Sequence, residues 1–227
     1  MFILEMVVFN MIGTTIEDHE AVHKALINTM GKFNYLVSHP EANAVMGYSK
    51  PEAIKRPLQY KESDKVLLSF DLIRFIHSAF GKEMNRYFSS TMIEPTEFAL
   101  ETLKILRERG IIVCLNTRFS KDTTDMNLSE LKWLKNGFVN YAISSDEVRV
   151  GRPYPYMIQA LMEKGGIIDP KKVKKVGDTI ADLEEDNNAK TGLIIGVCNG
   201  ANSRKELENH PHSYLIEHLG ELPALLN

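Results

Sequence analysis

The sequence predicts an α/β fold, a doubly wound parallel sheet covered on both faces, with a helical cap inserted after the first strand. Three observations carry this. Short apolar runs rich in Val, Ile and Leu recur, as at Met6-Val7-Val8-Phe9, Ile111-Ile112-Val113-Cys114-Leu115 and Leu193-Ile194-Ile195-Gly196-Val197, and such continuous runs mark strands buried on both faces. From residue 94 onward the runs alternate with stretches of helical periodicity, which implies parallel strands joined by crossover helices. Between the first and second runs there are helical stripes and no convincing strand. Residues 16–93 therefore read as the cap, and residues 1–15 with 94–227 as the core.

The first strand ends at a polar residue, Asn10, followed by Met11, Ile12, Gly13, Thr14 and Thr15. That is how a strand looks when it delivers a side chain to the carboxyl edge of a sheet, where open α/β folds bind ligands. Residues 17–32 form a helix with Val22, Ala25, Leu26 and Met30 on one side. Residues 33–63 are irregular, broken by Pro40, Pro51 and Pro57. A periodic helix over 63–88 follows, with Val66, Phe70, Ile73, His77, Phe80, Met84 and Tyr87 in a stripe. Pro95 and Thr96 open the next helix and Gly110 closes it. After strand 111–115 come a helix over 122–135, a strand near 141–143 and a helix over 154–164. Strand 173–176, helix 180–190, strand 193–197 and a terminal αβα stretch complete the core.

Composition narrows the function classes. The 227 residues are 44% hydrophobic and 25% charged, with a formal net charge of -3, so a well-buried core is expected. Lys and Arg are dispersed, which argues against a nucleic-acid partner or an anionic membrane surface. No segment approaches a membrane span, and the amino terminus starts directly with a strand, so a cytoplasmic location is expected. Cys114 and Cys198 lie among apolar, strand-like residues and are expected to be a reduced, buried structural pair; no Cys/His spacing suggests zinc. The oligomeric state is open.

Four places at strand ends hold chemistry-bearing residues. Thr117 can donate its hydroxyl to a phosphate oxygen or cap the next helix. Gly151-Arg152-Pro153 sets a permanent cation before a helix, as an anion ligand or as a surface arginine beside a turn. Gly177-Asp178-Thr179-Ile180-Ala181-Asp182 places two carboxylates four apart, a spacing that suits a hard cation such as Mg2+ or else capping of the next helix by Asp178 with Asp182 placed favourably to its dipole. The fourth place is the Asn10 turn.

Each signal is modest alone, but their order resembles the haloacid dehalogenase superfamily. Gly151-Arg152-Pro153-Tyr154-Pro155-Tyr156-Met157-Ile158 and Lys175-Val176-Gly177-Asp178-Thr179-Ile180-Ala181-Asp182 are similar to its phosphonatase-like branch, that of phosphonoacetaldehyde hydrolase. Met46-Gly47-Tyr48-Ser49-Lys50 has the Met-Gly-x-x-Lys spacing of that branch's cap. The resemblance implies a Rossmann-like core, a helical cap, Mg2+ and a small phosphorylated or phosphonylated substrate. It implies phosphate contacts from Thr117, Arg118 and Arg152, and metal ligation by Asp178, Asp182 and the Ile12 backbone carbonyl. Lys50 would be either a Schiff-base former or a phosphate-binding or solvated lysine.

The first motif departs from the family. Asp-x-Asp-Gly-Thr is replaced by Asn10-Met11-Ile12-Gly13-Thr14. The first Asp would attack phosphorus, and a carboxamide at Asn10 is a much weaker nucleophile. The second would protonate the leaving group; Ile12 has no proton to give, and a positioned acid/base group is worth roughly 10²–10⁴ in rate. Two of four expected carboxylates are absent, so Mg2+ affinity should be weak or lost. Arg118 stands where the family favours a small Gly. The expectation is a family member that binds a small phosphorylated or phosphonylated molecule with hydrolysis lost or much reduced, a pseudoenzyme. The alternatives are an active Mg2+-dependent hydrolase using a non-standard nucleophile, and a structural interaction protein.

Overall fold

The computed structural model describes residues 4–46, 48, 50–61, 69–90 and 92–226, without the side chains of residues 89 and 90. The chain divides into two compact units, Asp18–Met92 and the combination of Met1–Glu17 with Ile93–Asn227.

The inserted unit is helical among its described residues: α1 Ala21–Lys32, α2 His39–Asn43, α3 Lys50–Lys61 and α4 Phe70–Ser90. Helix α1 begins later than residue 17 because His19 and Glu20 take left-handed backbone angles, φ 44° and 60°. Residues 33–63 are not irregular throughout. Pro40 sits in the first turn of α2, which Ser38 and Glu41 close with a reciprocal capping box, and Pro51 sits in the first turn of α3. A proline there loses no intrahelical hydrogen bond, so these two residues start helices. Pro57 lies inside α3 and costs it one backbone bond. Of the helix expected over 63–88, residues 62–68 lie outside the described residues. Phe70 is exposed, and Ile76, Phe80, Met84 and Phe88 form the buried stripe of α4. The stripe therefore begins a turn later and is rotated from the expected one.

The other unit is built on a six-stranded sheet. Its strands are β1 Met6–Asn10, β2 Ile112–Thr117, β3 Tyr141–Ser144, β4 Val173–Gly177, β5 Leu193–Val197 and β6 Tyr214–Ile216. Their order is β3-β2-β1-β4-β5-β6, and every pairing is parallel. All five residues of β1 are buried, as its unbroken apolar run requires. Phe9 pairs with Leu115 on one side and Val176 on the other, so β1, β2 and β4 end level with one another. Strand order reverses at β1. The crevice outside the carboxyl ends at such a reversal is where open α/β sheets place ligands.

Helices α5 Ala99–Glu108, α6 Lys121–Leu131, α7 Tyr156–Gly165, α8 Ile180–Ala189, α9 Arg204–Leu207 and α10 Leu222–Leu225 complete this unit. Helix α7 presses Met157, Ile158 and Leu161 onto Met6, Val8 and Cys114, each such side chain contributing about 1.5–3 kcal/mol on burial. Pro95 does not open α5, which starts at Ala99 after Phe98 at φ 61°. It bridges Ile16 instead. Helix α6 stops short of residue 135 because Lys132 is left-handed. The cysteines are free, but only Cys114 is buried; burial pushes its thiol up to about 12. No helix among the described residues is long and apolar enough to cross a membrane.

Candidate functional site

The turn after β1 is fixed by its own backbone. Met11 O accepts from the amides of Thr14, Thr15 and Ile16, and Gly13 N donates to Ile16 O at 2.8 Å. Gly13 has φ +84°, and a Cβ there would lie 2.2 Å from Asp178 Oδ2. Across from it, a Cβ on Gly200 would come 2.3 Å from Asp178 Cβ. Two glycines thus make room for one carboxyl group, which leaves the end of β4 directly beside Asn10.

Asp178 Oδ1 accepts from Asn10 Nδ2 and Thr14 Oγ1, both at 2.7 Å, and Oδ2 accepts from Ala201 N at 2.9 Å. Burial, reinforced by the Asp182 charge, holds this carboxyl above the usual carboxylate range against those three bonds. Asn10 Nδ2 also donates to Ile12 O at 2.7 Å. Asn10 Oδ1 accepts from Arg152 Nη1 at 2.9 Å.

Arg152 is the hub of the site, and it is almost wholly buried. Its Nε donates to Glu185 Oε2 at 3.0 Å, and its Nη2 to Asn116 O and Oδ1 at 3.0 and 2.5 Å. Nη1 serves Asn10 and lies 2.8 Å from Asp182 Oδ1. All three guanidinium nitrogens are engaged by protein.

Asp182 has two tasks. Its Oδ2 accepts from Thr179 N and Oγ1 at 3.2 and 2.6 Å, closing the capping box of α8. Its Oδ1 faces Arg152 and accepts from Lys175 Nζ at 2.7 Å. Although its burial opposes ionisation, these cations and hydrogen bonds hold Asp182 well below the usual range. Burial pushes Glu185 up and Asp186 further up, and it pushes Lys175 down. Asp186 accepts from Thr191 Oγ1. The buried charged residues of this unit are Arg152 and Lys175 with Asp178, Asp182, Glu185 and Asp186, and both cations are taken up by neighbours within the cluster.

Sequence reasoning passed over Lys175, Asn116, Glu185 and Thr14. The signals existed. Lys174 and Lys175 are adjacent in a strand, so their side chains leave opposite faces, and a sheet covered on both faces must bury one. Glu185 is three residues after Asp182, on the same helix face.

The remaining expected residues are placed as follows. Thr117 is buried at the end of β2, its Oγ1 accepting from Phe119 N at 3.3 Å. Arg118 is half-buried, and its carbonyl accepts from Ser145 Oγ at 2.9 Å. Lys50 belongs to the inserted unit, where it is buried with its ammonium 5.1 Å from the Phe80 ring centroid. It borders an apolar cavity of about 10 Å³. Gly47 and Ser49 of its motif lie outside the described residues.

The donor set does not fit Mg2+. Ile12 O and Asp178 Oδ1 do converge, but on the Asn10 amide nitrogen, whereas a hard dication requires oxygen donors. Asp182 is committed to Arg152, Lys175 and Thr179. No group of three or more His, Cys, Asp or Glu among the described residues is placed to hold a metal.

Comparison with known proteins places these motifs in context. The family model described as haloacid dehalogenase-like hydrolase matches residues 7–195. Phosphonoacetaldehyde hydrolase of Bacteroides fragilis is 31% identical over 156 residues, a stretch spanning 59% of this chain and 59% of that protein. The Bacillus cereus protein of the same name is 25% identical over 216 residues, covering 91% of this chain and 81% of its own. Among solved structures, a phosphonoacetaldehyde hydrolase-like protein from Oleispira antarctica superposes with a TM-score of 0.86 at 20% identity, covering 98% of this chain and 91% of that one.

Proposed function

Because the chain belongs to the haloacid dehalogenase-like hydrolase family, in its phosphonatase-like branch, we propose that it binds a small phosphorylated or phosphonylated molecule at the edge of β1 and β2 without efficiently hydrolysing it. One observation carries this reading. The group at the nucleophile position, Asn10, is a neutral carboxamide whose oxygen is bound by Arg152 and whose nitrogen is bound by Ile12 O and Asp178. A neutral amide oxygen bound to a guanidinium is a poor nucleophile toward phosphorus, and covalent catalysis needs an activated one. The acid/base position holds Ile12, which supplies no proton.

The anion falls to Thr117 Oγ1 and the Arg118 side chain, since the amides of Gly13, Thr14, Thr15 and Ile16 are spent within the turn after β1. Arg152 acts behind them, orienting Asn10 and neutralising Asp182 and Glu185. With Arg152 and Lys175 engaged by Asp182 and Glu185, Arg118 carries the attraction that the anion feels. Inorganic phosphate should raise the melting temperature of the wild-type protein by mass action, and Arg118→Ala should remove that rise.

The deciding experiment pairs a phosphoester and phosphonate panel with the variant Asn10→Asp/Ile12→Asp. Wild type should show no turnover above background, and the double variant should gain it in the presence of Mg2+. Turnover by wild-type protein, with the amide verified by mass spectrometry, would establish the rival hydrolase. A phosphate-insensitive melting temperature would leave only the interaction protein.

A further inference from the structure

Three atoms meet at the mouth of β1 and β4: Asn10 Nδ2, Ile12 O and Asp178 Oδ1, with both contacts to the nitrogen at 2.7 Å. We propose that the Asn10 amide nitrogen occupies the position of a divalent cation, tying the Ile12 carbonyl to the Asp178 carboxylate by hydrogen bonds, so that the site is complete without metal and a single Asn10→Asp change turns it into a cation site.

The chemistry of the partners fixes which way the amide points. A carboxamide has two N–H donors on one side and an oxygen acceptor on the other. Here the two donors meet two oxygens, and the oxygen meets an N–H of Arg152. Turning the group over would set its NH2 against the guanidinium and its oxygen against a carbonyl and a carboxylate. Each contact would change from attractive to repulsive. The guanidinium cannot relax away, because Asn116 and Glu185 hold its other two nitrogens. The amide oxygen is therefore turned to Arg152 and away from Ile12 O and Asp178 Oδ1, and the nitrogen that faces them is no ligand for a metal.

The same geometry shows what an aspartate would do. With carboxylate oxygens in place of the amide atoms, one oxygen would keep Arg152 while the other faced Ile12 O and Asp178 Oδ1 with no proton between them. Three oxygens converging in a buried space are a destabilised arrangement and, with the cation between them, a hard-metal site. Asp178 is already held by Thr14 at the same oxygen and by Ala201 at the other, and Gly13 and Gly200, having no Cβ, leave room for its carboxyl where it stands. The surroundings of the cation position are thus in place, and one atom decides between the two closures.

This inference goes beyond the ligand reading and stands whether or not a phosphate binds. The test uses Mn2+ as the probe, followed by the electron paramagnetic resonance signal of the free ion, with thermal melts in parallel. Wild-type protein should leave the millimolar Mn2+ signal undiminished and melt at the same temperature in chelator and in Mn2+. Asn10→Asp should take up one equivalent at least about tenfold more tightly than wild type, as an added ligand charge provides. It should also melt lower in chelator and recover in Mn2+. If the variant accumulates only when Mn2+ is present, that supports the proposal equally. One equivalent bound by wild type and lost in Asp178→Asn would overturn it, as would a folded Asn10→Asp protein that ignores Mn2+. Should the variant not fold at all, the wild-type titration alone decides. The phosphate melts are read separately, so a failed ligand reading leaves this result intact.

Discussion

Replacing Arg152 by alanine takes one guanidinium from between Asn10, Asn116, Asp182 and Glu185, all of them buried. Glu185 Oε2 then keeps only Asn116 Nδ2, and Asn10 Oδ1 keeps nothing among the contacts described. Asp182 retains Lys175 and its cap. Removing one member of a buried ion pair costs about 3–5 kcal/mol, because the other charge stays desolvated and uncompensated. At roughly 2–4 °C per kcal/mol for a chain of this size, the melting temperature should fall by about 6–20 °C. Arg152→Lys should fall less, because it keeps the charge while losing the planar fork. Adding Glu185→Gln to Arg152→Ala should recover part of the loss, since it removes one of the stranded acids; coupling between touching groups is about 0.5–3 kcal/mol. Circular-dichroism melts at neutral pH measure all four proteins. If Arg152→Ala melts within about 2 °C of wild type, the guanidinium is not the keystone of the cluster. It would then be a solvent- or ligand-facing cation whose removal costs little.

Gly13→Ala should be among the most damaging single-methyl additions, since it combines a left-handed residue, costing about 1–2 kcal/mol, with a Cβ 2.2 Å from Asp178 Oδ2; a normal yield and melt would contradict the described turn. Asn127 is fully buried in α6 with neither amide atom hydrogen-bonded among the described residues, so Asn127→Leu should gain about 1–3 kcal/mol by removing unsatisfied polar atoms, seen as a higher melting temperature. In the inserted unit, His23 faces Asp18 and Asn43, lies near Glu20 and stacks on His39. The Asp18 carboxylate, 3.8 Å from Nδ1, is the main cause of a pKa raised above the ordinary histidine value. A raised value means this contribution is complete below the ordinary histidine range and is lost as pH climbs through the folded value. Wild type should therefore lose melting temperature as pH rises through and above the ordinary histidine range, and His23→Gln should flatten that slope.

How much of this was legible in the sequence depends on how local each cause is. Val7, Val8 and Phe9 announce a doubly covered strand without help, so the sheet was readable; a helix near residue 180 was too, but its cap is Thr179 and not the expected Asp178. Helices α2 and α3 were hidden because Pro40 and Pro51 look like breakers until their place in a first turn is known. The gathering of Asn10 and Asp178 at one sheet edge followed from their places at strand ends. The fate of Arg152 did not. It depends on Asn116, Asp182 and Glu185 arriving from two other elements, a coincidence in space that no spacing in the chain encodes. Lys175 was overlooked for a related reason, since a strand lysine suggests solvent until Asp182 is seen beside it.

The stitching of Pro95 and Thr96 to the turn after β1 has a consequence for the modularity of the protein. Glu17 N donates to Glu94 O at 2.9 Å, Thr96 N to Thr15 O at 3.1 Å, and Thr96 Oγ1 to Thr14 O at 2.6 Å. The points where the chain leaves the sheet unit and rejoins it are thus fastened side by side, like the two posts of a doorway. Whatever lies beyond can be lengthened, exchanged or cut to a short linker at small entropic cost, since closing a loop depends only weakly on its length. The nearby Asn10 turn would keep its bonds throughout, which leaves the insert free to diversify while that turn stays unchanged.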